Sequence, residues 1–551
     1  MSKKRKLGRN EKCTCGSGLK YKKCCDNPLR NQNSKNPKFS LQYIPTEVLK
    51  AIERHKANEA IRQQQQGFGK PIIAEKFNGQ QLVAVGNTIY HSPKWKTFPD
   101  FLSYYLKKTL GAEWGNAEIK KPLTERHSIM QWYEEYCHFQ RQYTEKDGEL
   151  YRAPATGVVY CYLGLAYNLY LLKHNVGLQE LLVKRLKNVG QFQGAYYELI
   201  VANCLIRAGF DLVLEDETDR KSKHCEFAAI SKRTGERYSV EAKMRSVVGI
   251  LGKDLNDGTQ NSDATSELIK HINAALRKPA DDKRLIFIDL NTDPDLKGDQ
   301  PTWLERAARK LETKEKNLEE NQRAYVFVTN IPFHRTLRDQ STGHAALAHG
   351  LGIDDFAKPG HYRLSEIYKQ KQKHRDAHDI LSAFKTYTQL PSTFDGSLPS
   401  VAFSNHSERI VIGETYFFED IDQKGVIGTV TTATVNEIEK NIYFIIKTED
   451  SKSLILTKPM SDDELIDYKN HPEGFFGSVQ SPPKKTNNPY ELFEWMLNTY
   501  KNTPKERLLE FMKEHPDLET LKTLSQEDLA ITYCERCVGV LLEKQKEDGN
   551  A

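Results

Sequence analysis

Apolar positions in the middle of the chain come in short runs whose period changes from run to run, and the changes predict alternating elements. Gly194-Ala-Tyr-Tyr-Glu-Leu-Ile-Val-Ala-Asn-Cys-Leu-Ile-Arg-Ala-Gly reads as a helix with a glycine stop, followed by Phe210-Asp-Leu-Val-Leu as a strand. Cys225-Glu-Phe-Ala-Ala-Ile and Arg237-Tyr-Ser-Val-Glu-Ala-Lys-Met read as two strands joined by a short hairpin connection through Ser231-Lys-Arg-Thr-Gly. Residues 266–276 then have helical spacing, 284–290 form a buried strand, 303–318 a helix and 324–330 a further strand.

Upstream, residues 45–65 and 98–110 read as helices, with a short strand at 81–85 between them. Residues 124–143 and 157–189 read as aromatic-rich helices that pack before the central region, because aromatics at helical spacing are more often core than a base-stacking platform. Residues 332–381 are polar and carry scattered histidines (His334, His344, His349, His361, His374 and His378) without a zincin pattern, which suits surface or hydrogen-bonded histidine. From 401 to 479 the text turns to alternating segments at Arg409, Gly425, Asn441 and Ser453, predicting a small antiparallel sheet or barrel. Residues 489–546 are helical, with Cys534 and Cys537 read as buried helix cysteines. The expected division is 1–30, 31–120 (mixed α/β), 121–189 (helical), 190–335, 336–400 (polar helical connector), 401–480 (β-rich) and 481–551 (helical).

Composition changes this picture little. Apolar residues at 38% and charged residues at 28% describe a globular protein with a polar surface. No apolar stretch is long enough to span a membrane and no signal peptide is visible, so a cytoplasmic location without membrane attachment is expected. Charge changes it more. The net charge is +6, yet residues 1–40 alone hold twelve Lys or Arg against Glu11 and Asp26, so the rest of the chain is slightly acidic. A basic arm favours a polyanion such as nucleic acid or ribosomal RNA, although a solubilising tail has the same composition.

Candidate chemistry lies in the central hairpin. A strand has period two, so Glu241 and Lys243 share one face, Val240 and Ala242 take the other, and Glu226 arrives from the preceding strand. Carboxylates suit a hard divalent cation, which polarises a phosphate and activates water, while an ammonium beside it neutralises developing charge. The bland alternative is a weak solvated ion pair.

These residues and their element order resemble the PD-(D/E)xK nuclease superfamily over roughly 150 residues, about one ordinary domain. The resemblance implies a restriction-endonuclease-like mixed sheet flanked by helices, in the α/β class. It implies Glu226 and Glu241 as ligands of a catalytic Mg(II) or Mn(II), Lys243 as the catalytic lysine, Glu198 as the acid of the first helix, and the Ala242 carbonyl as a further metal ligand. Cys225 stands where the name-giving proline would sit, and Glu replaces Asp at the first acid.

At the N-terminus, Cys13, Cys15, Cys24 and Cys25 place four thiols within thirteen residues, a set that suits structural tetrahedral zinc with no open position. Their spacing, with Gly16 and Gly18 between the pairs, closely resembles the SEC-C motif, and Cys25 stands where many members have His. Together these readings predict a metal-dependent nuclease with a zinc knob for docking, acting on nucleic acid, DNA ahead of RNA, and able to dimerise. Two alternatives stay open: a nuclease fold that binds without cutting, and a zinc-knob adaptor at the ribosome or translocation machinery.

Overall fold

The computed structural model describes residues 8, 10–13, 19–23, 45–146, 148–214, 226–248, 251, 263–280, 282–295, 300–319, 322–340, 343–358, 360–403, 409–419, 425–479 and 488–548. The chain is mixed α/β, about 46% helix and 19% strand, and separates into Met1–Arg54 and His55–Ala551. The helix Thr46–Gln66 crosses that division.

Strands β1 (Ile73–Phe77), β2 (Gln80–Val85) and β3 (Thr88–Ser92) form an antiparallel meander. The sequence pattern predicts β2, which buries Val83 and Val85, but β1 and β3 are largely exposed and their polar residues hide them. The β1–β2 connection is Asn78-Gly79, both at positive φ (47° and 74°), the backbone of a two-residue hairpin turn.

The principal sheet has six strands in chain order: β4 (Phe210–Leu214), β5 (Phe227–Ser231), β6 (Arg237–Met244), β7 (Lys283–Asp289), β8 (Ala324–Asn330) and β9 (Ala345–Leu351). The β4–β5 and β5–β6 pairs are antiparallel, whereas β6, β7 and β8 run parallel. Parallel neighbours need crossovers, and the helices Leu268–Leu276 and Thr302–Glu315 supply them. Their residues Leu268, Ile272, Trp303, Ala307 and Leu311 cover one face through Ile286, Ile288, Val326 and Val328. Val240, Ala242, Leu285, Phe287 and Phe327 join a larger core on the other face with the helices Phe192–Arg207 and Arg375–Lys385. Burial on both faces is why β7 and β8 read as continuous apolar runs. The sheet continues beyond residue 335, to β9, which pairs antiparallel with β8 inside the stretch expected to be a polar connector.

The helix predicted over 157–189 is two helices, Gly157–Asn175 and Glu180–Lys187, with Gly177 between them. The first is buried almost all round and packs in the same core as the sheet. Its first residue must be small: a Cβ on Gly157 would come within 2.2 Å of the Thr336 carbonyl oxygen.

Further on, β10 (Thr415–Phe418), β11 (Val426–Asn436), β12 (Asn441–Thr448) and β13 (Ser453–Pro459) form the four-stranded antiparallel sheet expected there. Residues 409–412 are not one of its strands. Arg409 instead sends its guanidinium to the Phe475 and Gly474 carbonyls at 2.7 and 2.8 Å. The final helices cluster around Phe493, Leu508, Leu529 and Cys534, whose thiol is pushed up to about 12 by burial.

Candidate active site

β5 and β6 pair from Phe227 opposite Val240 to Ile230 opposite Arg237. The sequence reading begins the first strand at Cys225, which lies outside the described residues. In the structure β5 begins at Phe227, so Glu226 stands just before it, its N–H donating to the Val240 carbonyl at 2.9 Å. Beyond Val240, β6 runs on to Met244 paired with β7. Because the Val240 carbonyl points toward β5, the alternation of the strand directs the Ala242 carbonyl to the same side, past the start of β5. Glu241 and Lys243 stand in register with Ile286 and Ile288 and share their face, as period two requires.

Three of the four expected catalytic side chains meet here. Lys243 Nζ lies 2.7 Å from Glu226 Oε1 and 2.6 Å from Glu241 Oε1. Glu241 is 2% exposed, so its charge requires compensation. Burial works against the Lys243 ammonium, but attraction to Glu241 and Glu226 together with the hydrogen bond to Glu226 outweighs it and raises the lysine above its ordinary range. The side chain therefore stays cationic at neutral pH.

Two cations escape the sequence reading. Lys278, just beyond the Leu268–Leu276 helix, donates to Glu241 Oε2 at 2.8 Å and lies 3.8 Å from Glu226 Oε1. Arg185, on the Glu180–Lys187 helix, grips Glu198 with two parallel bonds of 2.9 and 2.5 Å. Both Glu198 oxygens are thus engaged by a guanidinium. Burial pushes its acid up, helped by the nearby Glu226 carboxylate, while Arg185 and Lys243 pull the other way.

Among the described residues, no group of three or more His, Cys, Asp or Glu is arranged to hold a metal ion. The donor types nonetheless suit a hard cation: two carboxylates beside a backbone carbonyl. The closest observation to a fit is Glu241 Oε1, a buried oxygen that faces the Lys243 charge yet receives no aligned hydrogen bond. A divalent ion would meet that need once an ammonium withdrew.

A second buried acid lies nearby on the opposite face. Asp289, at the end of β7, is fully buried. It accepts bonds from Thr329 Oγ1 (2.8 Å), the Ile331 N–H (3.1 Å) and the Asn291 N–H (2.9 Å). Burial pushes its acid up to about 6, and the three donors only partly oppose the rise. Of the histidines between 332 and 381, His334 bonds Asn291, His349 bonds Glu315, and His374 bonds Tyr325 and Asp355.

In the N-terminal unit, Lys12 and Lys20 form an antiparallel bridge, Cys13 N–H donates to the Leu19 carbonyl, and a short 3-10 turn follows at Tyr21–Lys23. Cys13, beside this bridge, is buried. Cys15, Cys24 and Cys25 lie outside the described residues. No helix of the described residues is long and apolar enough to cross a membrane. No curated protein and no solved structure matches the chain. Residues 9–26 match the family model of the SEC-C motif, a zinc-related motif.

Proposed function

We propose that this protein is a metal-dependent nuclease that hydrolyses phosphodiester bonds, with a zinc knob for docking. The observation that carries the proposal is the meeting of Glu226, Glu241 and Lys243 within 2.7 Å at the point where β5 begins beside β6. The order helix, three antiparallel strands, crossover helix and parallel strand supports it as the core of a restriction-endonuclease-like fold. When bound, Mg(II) or Mn(II) polarises the phosphate and lowers the pKa of a bound water. Glu226, Glu241 and the Ala242 carbonyl are the residues that would hold it. Lys243, kept cationic by both acids, would stabilise charge accumulating on the phosphate oxygens. Glu198, gripped by Arg185, acts through its field on the cluster.

The substrate is nucleic acid, DNA ahead of RNA, met by the basic N-terminal residues, and the site of action is the cytoplasm. The zinc knob, with Cys13, Cys15, Cys24 and Cys25 as ligands, serves protein or ribosome docking, and the nuclease unit acts as a monomer or homodimer. The match to the SEC-C motif favours a second reading, an adaptor whose function lies in the knob. Single-turnover cleavage of plasmid, single-stranded DNA and RNA with Mg(II) or Mn(II) separates the two. Cleavage that disappears in Lys243→Ala supports the nuclease; absence of cleavage on all three substrates overturns it.

A further inference from the structure

The two acids of the candidate site are neutralised by two ammonium groups, and the two are unequally held. Lys243, near the end of β6, touches both carboxylates, at 2.7 and 2.6 Å. Lys278 sits in the turn after a short helix, with one close contact at 2.8 Å and a second at 3.8 Å. Its backbone is pinned, the carbonyl accepting from Arg284 at 3.2 Å, so only the four-carbon stem would have to turn for the ammonium to leave. A doubly charged ion placed between Glu226 and Glu241 would face both ammoniums at close range. Like charges repel at such close range, so one must leave, and Lys278, with a single close contact, has less to lose.

We propose that Lys278 is a displaceable counter-cation that holds the metal position shut in the free protein and turns to the substrate's phosphates when the divalent ion enters. This rests on the nuclease reading of the same site. Its consequence is coupling. A phosphodiester that draws Lys278 out of the acid pair makes room for the ion, and the ion frees Lys278 for the phosphate, so each ligand raises the affinity of the other by the same factor. The lysine thereby confines a tightly bound, reactive metal to protein that already carries nucleic acid.

Ca(II) and Mn(II) binding measured by titration calorimetry on the full chain, with and without a short DNA duplex, tests this without any cleavage readout. In wild type, DNA should tighten Ca(II) binding about tenfold. Lys278→Met should bind either ion at least about tenfold more tightly without DNA, since the competing charge is gone, and should lose most of the DNA enhancement. Lys278→Gln, which keeps a hydrogen-bond donor for Glu241, should behave likewise and guards against a misfolded Met variant, as does a melting curve for each. If both variants bind metal as wild type does, Lys278 is a structural partner of Glu241 and the proposal falls while the nuclease reading stands. If neither wild type nor variants bind a divalent ion at this site, with or without DNA, both fall together.

Discussion

Glu241 on β6 and Asp289 at the end of β7 are carboxylates buried in neighbouring parallel strands, on opposite faces of one sheet, and their surroundings differ in kind. Glu241 is met by two side-chain cations, Lys243 and Lys278. Asp289 is met by a hydroxyl and two backbone N–H groups, all fixed by the fold, and no cation bonds to it among the described residues. Burial pushes the Asp289 acid up to about 6, because neutral donors offset the loss of water only in part. Such a residue ties strand ends together. Ammonium groups can be exchanged for another cation, and under the nuclease proposal that difference assigns the chemistry to Glu241 and a structural role to Asp289.

The comparison breaks first on activity. Glu241→Gln and Lys243→Ala should each lower single-turnover cleavage by a factor of about a thousand or more while the melting transition survives, because a ligand charge or a charge-stabilising cation is lost. Asp289→Asn should leave cleavage within a few-fold of wild type. A Lys243→Ala protein that cuts at the wild-type rate would place the chemistry elsewhere.

A pH series sharpens it next. Burial holds the folded Asp289 acid up at about 6, above its ordinary 3.8, so the folded state keeps a proton that the unfolded chain releases in between. The stability this residue contributes is complete below pH about 4 and falls as pH rises to about 6, by about 3 kcal/mol in total. Urea unfolding of wild type and Asp289→Asn across that window should therefore give curves that converge or cross. A constant offset would show that Asp289 titrates normally.

Smaller still is the Arg185 pair. Arg185→Ala should destabilise by about 2 kcal/mol, since it strands a buried carboxylate, and Arg185→Ala with Glu198→Gln should recover most of that loss. If the double variant is no better than the single one, Glu198 is sustained by something other than the guanidinium. The smallest effect belongs to the zinc. Cys13, Cys15, Cys24 and Cys25 should hold one zinc per chain, and chelation should release it while leaving the main melting transition unmoved, because the binding energy of such a site is local folding energy. Metal analysis that finds no zinc in protein purified without chelator would remove this site.

The sequence made β4 to β8 legible because both faces of the parallel strands are buried and the crossover helices keep a clear apolar stripe. Glu241 and Lys243 could be placed by period two alone, and their partner Glu226 by the hairpin. Lys278 and Arg185 could not, since each meets its acid through folding: 37 residues separate Lys278 from Glu241, and 13 separate Arg185 from Glu198. β9 was hidden by its small residues, Ala345, Ala346, Ala348 and Gly350, which carry little hydrophobic signal. β1 and β3 were hidden by exposure, despite the Asn78-Gly79 turn that announces them. Arg409 to Ile412 misled in the opposite sense, having strand composition without a strand partner.

The helix Gly157–Asn175 limits how this protein can be divided. It exposes almost none of its surface, and its Leu165, Leu169, Tyr170 and Leu172 are wrapped by residues from both before and after it. A fragment beginning at residue 190 would keep every proposed catalytic group and lose the rod on which its largest core is built, leaving an open apolar trough that invites aggregation. The smallest piece worth expressing therefore starts well upstream of the chemistry, and a search for modular relatives should ask for the long helix together with the sheet.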